Sequence, residues 1–143
     1  MKLNKILLIH GPNLNLLGMR ETDIYGQDSQ QELFQFIDSS FPKIEFIFFH
    51  SNHEGAIIDA LHNHKDLVDA IIINAGALSH YSYSIRDAIK AINIPTIEVH
   101  LSNIDQRESF RRNLVFSEVC CDTIFGKGKH GYIDAVNKFK DTE

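Results

Sequence analysis

The sequence contains five short apolar runs separated by longer segments, and this alternation limits the possible folds more than any other feature. Most of the runs are continuously apolar, which is typical of strands buried on both faces of a sheet. They cover residues 5–9, 44–49, 70–73, 96–99 and 122–125. We therefore predict five strands that lie largely inside the protein.

The segments between the runs have helical periodicity. Leu33, Phe36 and Ile37 follow the spacing i, i+3, i+4, and the same spacing extended to i+7 recurs at residues 85, 88, 89, 92 and at residues 132, 135, 136, 139. Asp28 or Ser29 is a suitable N-cap for the first of these helices. Strands that alternate with amphipathic helices predict a three-layer α/β fold of the flavodoxin-like type, with a five-stranded parallel sheet and helices on both faces.

Composition narrows the class of protein. The chain has 14 Lys and Arg against 19 Asp and Glu, and this net charge of -5 argues against a nucleic-acid partner. No apolar run approaches the roughly 20 residues that span a bilayer, so no membrane association is expected. Without repeats or linkers, we expect residues 1–143 to form a single domain. The only cysteines, Cys120 and Cys121, are adjacent and are expected to be reduced thiols in a cytoplasm.

Polar residues follow four of the predicted strands. They are Asn13, His50, Asn52, Asn74 and His100. The carboxyl ends of parallel strands lie along one edge of the sheet, where ligands of open α/β folds bind. Any one of these residues could equally cap a loop or a helix, but the set as a whole predicts a functional site.

Several kinds of chemistry lack candidates. The sequence has neither GxxxxGK[ST] nor GxGxxG, and the glycines of GKGKHG near the C-terminus fit a mobile loop as well as an anion site. There is no G-x-S-x-G motif. His62 and His64 lie two apart in a probable helix and face different ways. We expect no metal site.

General acid–base chemistry remains, and the segment after the first strand suggests where it occurs. Residues 14–27 are long for a connection between a strand and a helix, which is typical of a lid. This segment carries Arg20 and Tyr25. A phenol is a poor base at neutral pH unless a neighbouring cation favours its ionised form. Tyr25 could be such a base, opposite His100 on a strand, or only a packed loop residue.

The motifs, taken together, resemble type II 3-dehydroquinate dehydratase over nearly the whole chain. The matching segments occur in the order GPNLNLLGMRE, IYG, SNHEG, NAGALSHYSYSIRDA, EVHLSN, RESFR and GKGKHGY. The resemblance implies conversion of 3-dehydroquinate to 3-dehydroshikimate, in the shikimate route to aromatic amino acids. It further implies anti elimination of water through an enolate, without a cofactor or metal.

The resemblance also assigns roles in catalysis. Tyr25 matches the base that removes the proton next to the ketone, and Arg20 matches the residue that keeps this tyrosine ionised. His100 matches the acid that protonates the departing hydroxyl, and Asn13 matches the residue that positions a water on the enolate oxygen. Glu98 precedes His100 by two on the same strand, so both side chains should face one side, and we expect Glu98 to orient the imidazole.

Substrate binding is assigned in the same way. The residues that match the carboxylate site and the contacts to the ring hydroxyls are Asn74, Leu101, Ser102, His80 and Arg111. Asp87 is expected to act from a neighbouring subunit, because the family assembles as a dodecamer, a tetramer of trimers. Glu54 fits a loop support or a helix N-terminal charge equally well, and Arg107 fits an exposed position or a lid contact.

This sequence departs from the family pattern in two places. Residues 113–117 read NLVFS where the family usually has a different stretch, and this difference concerns local packing or a subunit contact. His50 replaces a more usual Gln or Asn.

The competing hypothesis is a flavodoxin-like binding or regulatory module without catalysis.

Overall fold

The computed structural model has one sheet of five parallel strands in the order β2-β1-β3-β4-β5, and it describes residues 2–142. The strands are β1 (Lys5–His10), β2 (Glu45–His50), β3 (Ala70–Asn74), β4 (Thr96–His100) and β5 (Asp122–Phe125). All five predicted strands are present. Their order is that of flavodoxin-like sheets, so the predicted fold class is confirmed.

Five α-helices connect or follow the strands. They are α1 (Thr22–Tyr25), α2 (Gln30–Ser40), α3 (Glu54–His64), α4 (Tyr83–Ile92) and α5 (His130–Asp141). Ser29, one of the two predicted N-caps, begins α2: its hydroxyl accepts from the Glu32 N–H, and the Glu32 carboxylate accepts from the Ser29 N–H. Among the described residues, no helix is long and apolar enough to cross a membrane.

Alternate residues of the inner strands point to opposite faces of the sheet, which gives two apolar layers. Ile6 and Leu8 pack with α2 and α5, whereas Leu7 and Ile9 pack with α3 and α4. The inner strands β1, β3 and β4 are almost entirely buried. The edge strands β2 and β5 are largely half-buried, because each has a neighbouring strand on one side only.

The turns after β1 and β3 are packed against each other. The Gly11 N–H donates to the Asn74 carbonyl at 2.8 Å, and a Cβ on Gly11 would overlap the carbonyl oxygen of Ala75. Only glycine permits this approach of the two backbones. It brings the residues that follow both strands to one place at the carboxyl edge of the sheet.

Candidate active site

A cavity of about 80 Å³ lies at the carboxyl edge of the sheet, beneath the segment of residues 14–27, which we call the lid. Most of the site residues predicted from the sequence line it: Asn13, Arg20, Tyr25, Asn74, His80, His100, Leu101, Ser102 and Arg111. The cavity is small compared with typical ligand pockets of about 300–1,000 Å³. With the lid in this position, the cavity is smaller than a ring-sized ligand needs.

The lid is more regular than the long loop expected from the sequence. It contains a 3₁₀ turn over Leu14–Leu16 and the short helix α1, which ends at Tyr25. Asn13 immediately precedes the lid and has φ 72°, a backbone conformation that asparagine tolerates better than most residues. Its N–H donates to the Asn52 side-chain oxygen at 3.0 Å, which ties the lid to the end of β2.

Two guanidinium groups contact the Tyr25 hydroxyl. Arg20 Nη2 donates to it at 3.1 Å, and Arg107 Nη1 donates at 2.7 Å. Both guanidinium carbons also lie over the phenol ring, at 4.3 and 5.0 Å from its centroid. Arg107 is therefore a lid contact and not an exposed residue, which decides between the two positions that the sequence left open. The phenol oxygen of Tyr25 therefore has two positively charged donors beside it.

His100 and Glu98 lie at the end of β4, on the other side of the cavity. His100 Nε2 is 2.6 Å from Glu98 Oε2, and the Glu98 carboxylate is fully buried. The Thr123 hydroxyl approaches the second carboxylate oxygen at 3.5 Å. Because Nε2 is engaged with Glu98, the ring nitrogen that remains for a ligand is Nδ1. The expected contact between the two side chains is present.

The next two side chains along the cavity, Asn74 and His80, are also buried. The Asn74 amide has a hydrogen bond on each side, from Nδ2 to the Tyr132 hydroxyl at 2.9 Å and from the Gly76 N–H to Oδ1 at 3.3 Å. The His80 ring stacks against that of His100, with centroids 6.0 Å apart. Burial is the largest cause that lowers the pKa of His80, so this imidazole is held neutral.

The atypical segment after RESFR supports this part of the site. The carbonyl of Asn113 accepts from His80 Nδ1 at 3.1 Å, and the Asn113 side chain donates to the His80 carbonyl at 3.0 Å. Val115 and Phe116 are buried in the core, and the Val115 N–H donates to the Ser79 carbonyl at 3.0 Å. The unusual residues therefore form ordered packing behind His80.

Some residues singled out from the sequence lie away from the cavity. Asp87 is exposed on α4, and His50 is half-buried at the end of β2. Neither is among the described residues that line the cavity. His50 ends β2 at the same edge of the sheet at which Asn74 ends β3, as predicted, but β1 lies between these two strands and His50 is not among the cavity residues. Glu54 begins α3 and accepts from the hydroxyl of Ser82, the N-cap of α4.

The charge of the cavity suits an anion. Arg20, Arg107 and Arg111 line it, and Arg111 is held by an ion pair with Glu108 at 3.2 Å. Within residues 2–142 no group of three or more His, Cys, Asp or Glu side chains is arranged to hold a metal ion. What the arrangement offers is a phenol beside two cations, and an imidazole beside a buried carboxylate.

Comparison with known proteins gives a consistent result. The family model described as dehydroquinase class II matches residues 4–140. A 3-dehydroquinate dehydratase of Caldicellulosiruptor saccharolyticus is 51% identical over 97% of this chain and 98% of its own length. One of Bacillus licheniformis is 50% identical over 96% of each chain.

A solved structure agrees with this assignment. The crystal structure of type II dehydroquinase from Butyrivibrio crossotus superimposes with a TM-score of 0.93 at 45% identity, over 96% of this chain and 98% of the other. The sequence match, the strand order and the cavity point to the same group of proteins. This chain belongs to the class II dehydroquinase family.

Proposed function

We propose that this site converts 3-dehydroquinate to 3-dehydroshikimate by removing a proton next to the ketone and then expelling the hydroxyl as water. One observation carries the proposal. The Tyr25 hydroxyl, held between two guanidinium groups on one side of the cavity, faces a site whose other side is the His100–Glu98 pair. Base and acid thus come from separate elements, an arrangement that fits an anti elimination, in which they act on opposite faces of the substrate.

Tyr25 is the base. Ionised between Arg20 and Arg107, the phenolate takes the proton from the carbon next to the ketone, and the electron pair moves to the ketone oxygen to give an enolate. Asn13, which lines the cavity at the start of the lid, positions a water on that oxygen. Preorganised donors of this kind are worth about 3 kcal/mol each in the transition state.

His100 is the acid. Its Nε2–H donates to the buried Glu98 carboxylate, and its Nδ1–H gives a proton to the departing hydroxyl. The enolate then collapses to the conjugated enone, and water leaves. The Glu98 carboxylate orients the ring and is not itself in contact with the substrate.

The remaining cavity residues bind the substrate. Asn74, together with Leu101 and Ser102 at the end of β4, forms the carboxylate site, where backbone N–H groups and a hydroxyl suit an anion. His80 and Arg111 contact the ring hydroxyls. No further group needs to be supplied for the reaction, because the enolate is stabilised by hydrogen bonds alone.

Assembly completes the proposal. Asp87 is exposed on α4 and is available to a neighbouring subunit, in keeping with a trimer and a dodecamer of four trimers. Light scattering after size exclusion tests the assembly directly.

Residues 1–143 form one catalytic domain of a cytoplasmic enzyme in the shikimate pathway.

The reaction is tested with purified protein and 3-dehydroquinate, by following the ultraviolet absorbance of the conjugated product. We expect turnover across neutral to alkaline pH. Borohydride added with substrate should leave the activity intact, because no Schiff base forms. The absence of product above a protein-free blank would contradict the proposal and favour a binding module of the same fold.

A further inference from the structure

The Asn74 amide at the end of β3 has a fixed orientation. A backbone N–H can only donate, and the Gly76 N–H points at the Asn74 amide from 3.3 Å. The amide oxygen must therefore face Gly76, and the NH₂ group must face the opposite side. Asn74 is only 3% exposed, so both hydrogen bonds of its amide are largely shielded from solvent.

On that opposite side, a chain of buried hydrogen bonds begins. Asn74 Nδ2 donates to the Tyr132 hydroxyl at 2.9 Å, and this hydroxyl is 2.8 Å from His10 Nε2. His10 Nδ1 is in turn 2.9 Å from Gln30 Oε1. Tyr132 and His10 are both fully buried. The chain thus joins β3, α5, β1 and the first turn of α2.

Only one direction of donation satisfies every member. With the Asn74 NH₂ donating to Tyr132, the Tyr132 hydroxyl donates to His10 Nε2, and His10 Nδ1–H donates to Gln30. Burial lowers the pKa of His10 to about 4, so the ring carries one proton at neutral pH, as this direction needs. In the reverse direction, the Asn74 NH₂ would meet the Gly76 N–H, and two donors would face each other.

We propose that Tyr132 and His10 are positioning residues that lock the Asn74 amide with its second N–H available to the substrate carboxylate. An amide has two N–H donors, and Tyr132 takes one of them. The inference rests on the proposed function, because it concerns how Asn74 binds 3-dehydroquinate. Neither Tyr132 nor His10 is among the described residues that line the cavity, so both act through Asn74.

The test begins with Tyr132→Phe, which keeps the ring and removes the hydroxyl. Without that acceptor the amide loses its lock, so we expect KM for 3-dehydroquinate to rise about tenfold while kcat changes less than about threefold. Tyr83→Phe, at an exposed tyrosine of α4, is the matched control and should leave both constants unchanged. A fall in kcat at constant KM would overturn the inference.

A second pair of variants tests His10 Nε2, the nitrogen that accepts from the Tyr132 hydroxyl. His10→Leu removes it and should raise KM as Tyr132→Phe does, whereas His10→Gln restores an acceptor near the Nε2 position and should return KM toward the wild-type value. Equal KM values for the two His10 variants would contradict the assigned role.

The final comparison places Tyr132→Phe in an Asn74→Ala background. If Tyr132 acts only through Asn74, the second substitution adds nothing to KM, whereas full additivity would overturn the inference. Wild-type protein that does not turn over 3-dehydroquinate would overturn the proposed function and this inference with it. An active wild type with an unchanged Tyr132→Phe variant would overturn this inference alone.

Discussion

The two sides of the cavity are built differently. On the lid side, Tyr25 and Arg20 lie on a segment that carries little of the core, and the Arg20 side chain remains 25% exposed. On the strand side, His100 and Asn74 end inner strands. The Glu98 side chain behind them is fully buried. The difference teaches that the proposed base lies on a peripheral segment, whereas the proposed acid ends an inner strand next to the core.

This difference has an energetic consequence. Groups on the lid contact one another near solvent, so removing one costs little folding free energy, as for other exposed ion pairs. Groups at the strand ends are buried, so removing one leaves a partner without a hydrogen bond at a cost of about 1–3 kcal/mol. We therefore expect lid variants to lose activity alone and strand-side variants to lose activity and stability together.

The largest effect is expected for Tyr25→Phe. Loss of the base should lower kcat about a thousandfold, within the usual range for a general base. The midpoint of urea unfolding should stay at the wild-type value, because the phenol is half-buried on the lid. Near-normal turnover would show that the base is misassigned, and a large loss of stability would contradict the separation of the two sides.

The next effect concerns stability alone and comes from His10. Its pKa is about 4 in the folded protein and near 6.5 when unfolded, so the unfolded state binds more protons between these values. Stability should fall as pH drops from 6.5 toward 4, by about 3 kcal/mol in full. Urea unfolding at several pH values checks this.

His50 and His80 also have pKa values lowered by burial, and they contribute in the same direction. His10→Gln is therefore the reference, because it keeps both of those residues. The difference in unfolding free energy between wild type and this variant should shrink as the pH is lowered. A constant difference from pH 7 to pH 5 would contradict a neutral, buried His10.

A smaller effect, on both activity and stability, is expected for Glu98→Ala. The His100 ring loses its buried partner, so kcat should fall about a hundredfold and unfolding free energy should fall by about 2 kcal/mol. Glu118→Ala is the control, since Glu118 is an exposed partner of Arg86 and should affect neither measurement noticeably. If Glu98→Ala lost activity without losing stability, it would behave like a lid variant, and this would contradict the separation of the two sides.

The smallest effect is expected for Arg107→Lys. Lysine keeps the charge but loses the planar group that reaches the Tyr25 hydroxyl and, at 3.4 Å, the Ser102 hydroxyl. We expect kcat/KM to fall about tenfold. Arg112→Lys on the same segment, where the guanidinium contacts only the Asp105 carbonyl among the described residues, should behave as wild type.

The sequence predicted the strands and much of the cavity for a clear reason. Asn13, Asn74 and His100 follow strands of a parallel sheet, and such strand ends meet at one edge whatever the details of packing. The contact between Glu98 and His100 follows from their spacing of two on one strand. Local pattern was sufficient for these residues.

Other residues could not be assigned from local pattern. Arg107 contacts Tyr25 from 82 positions away, and Tyr132 contacts His10 from 122 positions away, so both contacts depend on how the layers pack. The sequence pattern predicts Tyr132 in the apolar stripe of the last helix, and its hydroxyl is the signal that it meets a polar group. His50 shows a different limit, since it ends a strand at the predicted edge but does not line the cavity.

The proposed roles of Tyr25 as base and His100 as acid are tested most directly by hydrogen exchange at the carbon next to the ketone. Wild type, Tyr25→Phe and His100→Ala are incubated with 3-dehydroquinate in deuterated water, and deuterium in the recovered substrate is measured by mass spectrometry. His100→Ala should form the enolate without expelling the hydroxyl, so it should incorporate deuterium while making almost no product. Tyr25→Phe should do neither, and exchange that survives in Tyr25→Phe but is lost in His100→Ala would contradict the account.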